Sequence, residues 1–360
     1  MSAARTRAVR AAATTVARQV VLIGLSLLVA TAFLSFSGYE GLPVIRGIAD
    51  GLTTDVAGTI RWSTPLILAG LATCITFRAE VWNLGVDGQI YLGAAAATAA
   101  ALHPPALPQL AVLLWVFLCA MVAGSLFALI PALLKVLIGT NEVVSTLLLN
   151  FLALYLVEFL VTGPMRDTAA GTNLNASPVI ERVAWLPRLA ALQPSEANIG
   201  FYLALVAAGL LAVVFYRTAL GLEIKIVGAN RTLAHYAGIR PNAVTVRVMI
   251  VSGALAGMIG AIEVTAIQHR LLAGFNPGLG FSGIVVSLLA NNHPVGVVFS
   301  GLFFGALKNG GINMERVTDV PSAVTDIVMA IVIITISARL AMSWLRRRRS
   351  AAVPAAGAGS

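Results

Sequence analysis

Charge is scarce in this chain. Only 11 % of its 360 residues are Asp, Glu, Lys or Arg, against roughly a quarter in an ordinary soluble domain. So few ionised groups cannot cover a water-facing surface. Cysteine is almost absent: Cys74 and Cys119 both lie in apolar stretches, which excludes a disulfide scaffold and any metal-ligand spacing and leaves two buried thiols. Also missing are a GxxxxGK[ST] phosphate loop, HExxH, GxSxG and a paired intramembrane Asp motif. The chain therefore carries no recognisable site for hydrolysing ATP or for intramembrane hydrolysis, and no regular Arg ladder marks a voltage sensor.

Apolar residues fill that space. They make up 58 % of the chain, and the mean hydropathy is +0.90. Lipid is the solvent such a sequence requires, so the expected fold is an all-α, polytopic integral membrane protein. Ten spans are predicted, at 20–36, 62–77, 81–102, 109–134, 142–162, 199–216, 244–267, 281–292, 294–307 and 321–340. His293-Pro294 separates the two short ones. The run Val20 to Phe36 is long for a signal peptide, no small-x-small cleavage site follows it, and it reads as an uncleaved first span. Residues 1–19 and 342–360 read as basic cytoplasmic tails flanking a permease domain over 20–341.

Alternating the spans from a cytoplasmic N-terminus places 16 of the 24 Lys and Arg inside, with Glu80, Glu142 and Glu223 as the only acids there. That asymmetry predicts both termini in the cytoplasm and accounts for the net charge of +9 without nucleic acid. The run Arg346 to Arg349 then sits against the anionic leaflet as a topological anchor.

Two loops are too long to be plain connections. The outer one, 163–197, is rich in Pro and Asn and reads either as a structural plug or as a surface for an external partner. In the inner one, 217–243, Asn230 can cap a short helix over 231–237 that Gly238 ends. Such a helix suits the membrane surface or a groove on a soluble subunit.

Polar groups at membrane depth are the functional candidates. The third span opens with Asn83, Gly85, Asp87, Gly88 and Gln89, a composition that predicts a broken or late-starting helix beside a cavity. Asp87 can cap that helix. A second Gly-rich break, 274–283, contains Asn276. Both breaks follow an apolar helix carrying Ala-Gly, at Ala69-Gly70 and Ala256-Gly257, which suggests a weak internal repeat of helix, break, helix. Asn150 lies mid-span; Glu158 and Glu263 lie near outer helix ends, within reach of water.

Three stretches carry a family resemblance. Phe77 to Gly93 resembles an Asn-Ile-Gly-x-Glu-Gly-Gln signature, with Asp87 where Glu is usual. Gly139 to Asn150 is similar to an Asn-Glu-Val motif that leads into a Leu-rich span, and Gly221 to Gly238 to an ATPase-contacting loop. The permease subunits of bacterial ABC importers for simple sugars and nucleosides share these motifs, over about residues 60–340, and the nucleoside type is the nearer. The resemblance implies a plasma-membrane subunit without enzymatic activity or cofactor. It implies a second identical or related permease, two ATPase subunits and an extracellular solute-binding protein. It implies Asn83, Asp87, Gln89, Asn150 and Asn276 on the substrate pathway, and Gly221, Glu223, Arg231 and Gly238 at the ATPase docking loop. Neutral amides suit a hydroxyl-rich solute. The competing readings are a branched-chain amino-acid ABC permease and a secondary transporter with Asp87 as its coupling carboxylate.

Overall fold

The computed structural model describes residues 54–317, apart from 169–174, 193–194 and Pro277, together with five isolated positions outside that range. Residues 55–306 form one compact unit; the second unit consists of the two terminal stretches, of which Leu307 to Val317 is the longest described part. The candidate spans 20–36 and 321–340, and both tails, lie outside the described residues.

Those residues are helical, with no strand among them beyond two isolated bridges. In chain order the helices are α1 (Val56–Phe77), α2 (Val86–Leu102), α3 (Gln109–Leu133), α4 (Glu142–Thr162), α5 (Gly200–Arg217), α6 (Ala219–Ala229), α7 (Arg231–Tyr236), α8 (Pro241–Ile262), α9 (Leu279–Leu289) and α10 (Pro294–Val317). One π-helical turn extends α3 to Ile138 and another extends α8 to Gln268. Among the described residues, six helices are long and apolar enough to cross a membrane: α1, extended α3, α4, α5, extended α8, and α10 over Pro294–Asn313. Several predicted boundaries change. The third span is helical only from Val86; in the Asn- and Gly-rich segment before it Asn83 N–H turns back to the Val81 carbonyl and Gly85 N–H to the Asn83 side chain. The eighth is an 11-residue half-helix, whereas the ninth runs on to Val317. The inner loop 217–243 is largely helix, and α8 begins at Pro241, whose missing N–H costs nothing at a helix start.

Small residues place α8 at the centre. Gly257 meets the Ala120 carbonyl of α3 on one side and Gly93 of α2 on the other, with no room for a side chain at either contact. Without a hydrophobic drive between helices in lipid, such backbone proximity is how association is won. A matching arrangement surrounds α1: Gly283 of α9 packs on Ala69, Gly70 faces Val286, and Gly301 of α10 packs on Ile67. Each half of the chain therefore lends its half-helix to the other half's long helix, α2 to α8 and α9 to α1. Ala69-Gly70 lies where α9 packs on α1, and Ala256-Gly257 where α2 packs on α8.

The outer loop is docked. Ser177 and Ile180 donate backbone N–H bonds to the carbonyls of Leu271 and His269 at 2.9 Å each, and Leu186 N–H reaches the Thr265 carbonyl at 3.0 Å. Trp185 stacks on the His269 ring, centroids 3.7 Å apart. Beneath it Arg61 of α1 pairs with Glu263 at 3.1 Å and lies 3.8 Å from Glu196. Glu263 is thus buried and ion-paired rather than reaching water.

Candidate functional site

The non-helical segment 81–85 and the residues after it bring the polar groups together. Asn83 is fully buried. Its amide exchanges two 3.2 Å bonds with Gln89, donates to Ser252 Oγ at 2.9 Å, and accepts the Gly85 N–H at 2.9 Å. Asn150, on α4, closes the same corner from outside: it donates to the Leu84 carbonyl and accepts the Gly88 N–H, both at 2.8 Å. Thr146 Oγ1 accepts the Leu84 N–H at 3.2 Å. Side chains from α4 thereby satisfy backbone groups that an interrupted helix exposes, while Ser252 of α8 holds the Asn83 amide.

Asp87 caps a different helix from the expected one. The α2 N-terminus has no side-chain cap of its own, and its Gly88 N–H goes to Asn150. The Asp87 carboxylate instead reaches across to α9, accepting the Gly280 N–H at 2.8 Å, the Phe281 N–H at 3.2 Å and the Asn276 amide at 2.8 Å. Asn276 Oδ1 takes the Leu279 N–H at 2.9 Å, and Tyr91 donates to the Asn276 carbonyl. Two half-helices thus meet N-terminus to N-terminus, and one carboxylate lies where their positive dipole ends converge. All five predicted pathway residues belong to this layer. Sequence reading passed over Thr146, Ser252 and Tyr91, whose hydroxyls look unremarkable in apolar runs.

The loop residues form a separate group. Asn230 ends α6 and caps α7, accepting the Thr232 and Leu233 N–H at 2.8 and 3.0 Å. Gly238 closes α7 at a φ of 75°, a left-handed conformation that glycine adopts without strain. Gly221 is pressed against the α5 backbone at Val214 and Phe215. Glu223 pairs with Arg247 at 3.1 Å, and Arg231 reaches Asn242 and Thr245 at 3.4 Å. These four residues shape the helix pair. The large apolar side chains it exposes are Leu222, Leu233 and Tyr236, the last 87 % exposed, and sequence reading did not single them out.

Long apolar helices, interrupted partners meeting at a buried amide layer, and a short helix pair outside the spans define a multi-pass membrane transport protein. The chain belongs to the family described as the branched-chain amino acid transport system / permease component, which matches residues 56–337. It is similar to the glucose ABC transporter permease protein TsgB13 of Haloferax volcanii, 39 % identical over 76 % of this chain and 73 % of that one. It is 32 % identical to the guanosine ABC transporter permease protein NupP of Bacillus subtilis over 90 % of this chain and 94 % of that one. It is 30 % identical to the nucleoside ABC transporter permease protein NupB of Lactococcus lactis over 88 % of each. No solved structure matches significantly. The chain is a permease subunit of an ABC transporter.

Proposed function

We propose that the chain forms the translocation pathway of an importer for a nucleoside or simple sugar. The amide layer of Asn83, Gln89, Asn150 and Asn276, with Asp87, is its constriction. A hydroxyl-rich solute exchanges hydrogen bonds with neutral amides without the desolvation cost of fixed charge. The relatives named for guanosine, nucleoside and glucose support this substrate class over a branched-chain amino acid. The working particle pairs the chain with a second permease, two ATPase subunits on the side of α6 and α7, and an extracellular solute-binding protein over the outer loop. The full topology is ten spans, with the permease domain over 20–341 and both termini in the cytoplasm of a plasma membrane, a reading the charge asymmetry supports. Partner ATP drives alternation between outward and inward access.

The observation that carries this reading is the exposed pair Leu233 and Tyr236 on a short helix outside any span. Affinity purification of the tagged chain from its host membranes tests it. A soluble ATPase is expected in near-equal amount, and is lost in the Leu233→Asp/Tyr236→Asp variant. Uptake should be competed by guanosine, adenosine, ribose or glucose and not by leucine. A chain isolated without an ATPase, with uptake abolished by a protonophore, overturns it.

A further inference from the structure

The half-helix α9 is held at both ends by one short stretch of chain. At its N-terminus Asp87 accepts the Gly280 and Phe281 N–H groups. At its other end the chain turns through Asn291 and Asn292, both with positive φ. There Arg78 Nη1 donates to the Asn292 carbonyl at 3.3 Å and to Tyr216 Oη at 3.4 Å. The Arg78 guanidinium also lies over the rings of Phe215 and Tyr216, 4.6 and 5.4 Å from their centroids. An anion at the N-terminus and a cation near the C-terminus both suit the α9 dipole, and both come from residues 78–87. The same stretch touches α6: Gly228 rests on the Arg78 carbonyl and near the Ala79 Cα, leaving no room for a Cβ.

We propose that Arg78 is a positioning residue for transport. It ties the α6 side of the permease to α9, so that a displacement of α6 moves the 78–87 corner and α9 together and reaches the amide layer through Asp87. This rests on the reading of α6 and α7 as the ATPase face. Packed elements of this kind pass on discrete shifts rather than deforming continuously. The planar fork of arginine matters here, because it spans a carbonyl, a hydroxyl and two ring faces at once, which a lysine ammonium cannot do.

The test compares Arg78→Lys and Arg78→Gln with the unaltered permease complex purified from host membranes. Three quantities are read: co-purified ATPase, ATP hydrolysis by the complex, and uptake of radiolabelled guanosine or glucose by cells, normalised to complex in the membrane. ATPase association and basal hydrolysis are expected within about twofold of the unaltered complex, while uptake falls roughly fivefold or more. Gly228→Ala is expected to reduce uptake in the same way, and Tyr216→Phe, which removes one acceptor, to do so less. If Arg78→Gln fails to accumulate, Arg78→Lys decides. Normalised uptake kept at the level of the unaltered complex in Arg78→Lys overturns the proposal, as does uptake that falls only in step with ATP hydrolysis. Absence of an ATPase from the unaltered complex instead overturns the permease reading itself.

Discussion

The carboxylate of Asp87, near the start of α2, accepts the backbone N–H of Gly280, near the start of α9, at 2.8 Å across 193 positions of sequence. Gly280 has no side chain to obstruct it; a Cβ there would lie 2.9 Å from the Asp87 carboxyl carbon. The two interrupted helices are therefore joined by a group that satisfies donors no intrahelical partner can reach. Asp87→Asn leaves one acceptor oxygen and turns an amide N–H₂ toward a donor. A loss of about 1–3 kcal/mol is expected, from one buried donor left unpaired, and more for Asp87→Ala, which strands all three. Thermal unfolding in detergent measures it. Equal midpoints for the Asn and Ala variants would rule the cap out.

Helix crossings give a second expectation. Gly257→Ala places a methyl group against the Ala120 carbonyl and the Met121 Cα, backbone atoms that cannot rotate aside, and overpacking of this kind costs about 1–3 kcal/mol. Gly209, on the exposed face of α5 with nothing within 4 Å, supplies the control: Gly209→Ala should hold or slightly raise the unfolding midpoint, because alanine is the better helix former. Similar midpoints for the two variants would show that the close crossing of α8 is not what holds it.

Arg61, near the start of α1, and Glu263, just past the end of α8, pair with side chains only 10 % and 4 % exposed. Removing one partner strands the other charge in a low dielectric, a cost of about 3–5 kcal/mol, whereas replacing both by apolar residues recovers much of it. Glu263→Leu alone should thus unfold more readily than Arg61→Met/Glu263→Leu. Additive losses in the two single variants would refute the pairing.

His269 lies just beyond the last residue of the α8 span. Burial, and then the charge of Arg188, hold its imidazole below the ordinary 6.5, against the opposing pull of the Thr265 carbonyl and Glu196. In the pH window below 6.5 and above the lowered native value, the unfolded chain binds the proton more readily than the native one. Stability is therefore fully present above 6.5 and is lost as pH falls through that window. His269→Asn tolerates the φ of 53° and removes the titration. Unfolding midpoints between pH 5 and 7.5 should fall on acidification in the parent and flatten in the variant; parallel profiles would exclude His269 as the cause.

Much of this protein was legible before any coordinates. Low charge and long apolar runs required helices in lipid, because a backbone without water must satisfy its own hydrogen bonds. Asn230 and Gly238 marked the ends of α7 through local capping chemistry, and the Gly- and Asn-rich breaks announced where helices are interrupted. What the sequence could not express is which helix each polar group serves. Asp87 was placed at its own helix and Glu263 in water, whereas one caps α9 and the other is buried against Arg61. Arg78 was one among the 16 basic residues assigned to the cytoplasmic side and gave no sign of the Asn292 carbonyl it holds. Composition and local capping depend on neighbours in the chain and are written there. The packing of α2 on α8 and of α9 on α1, and the amide layer where α2 and α9 meet, depend on which backbones can approach closely enough to touch, and only the packed structure decided that.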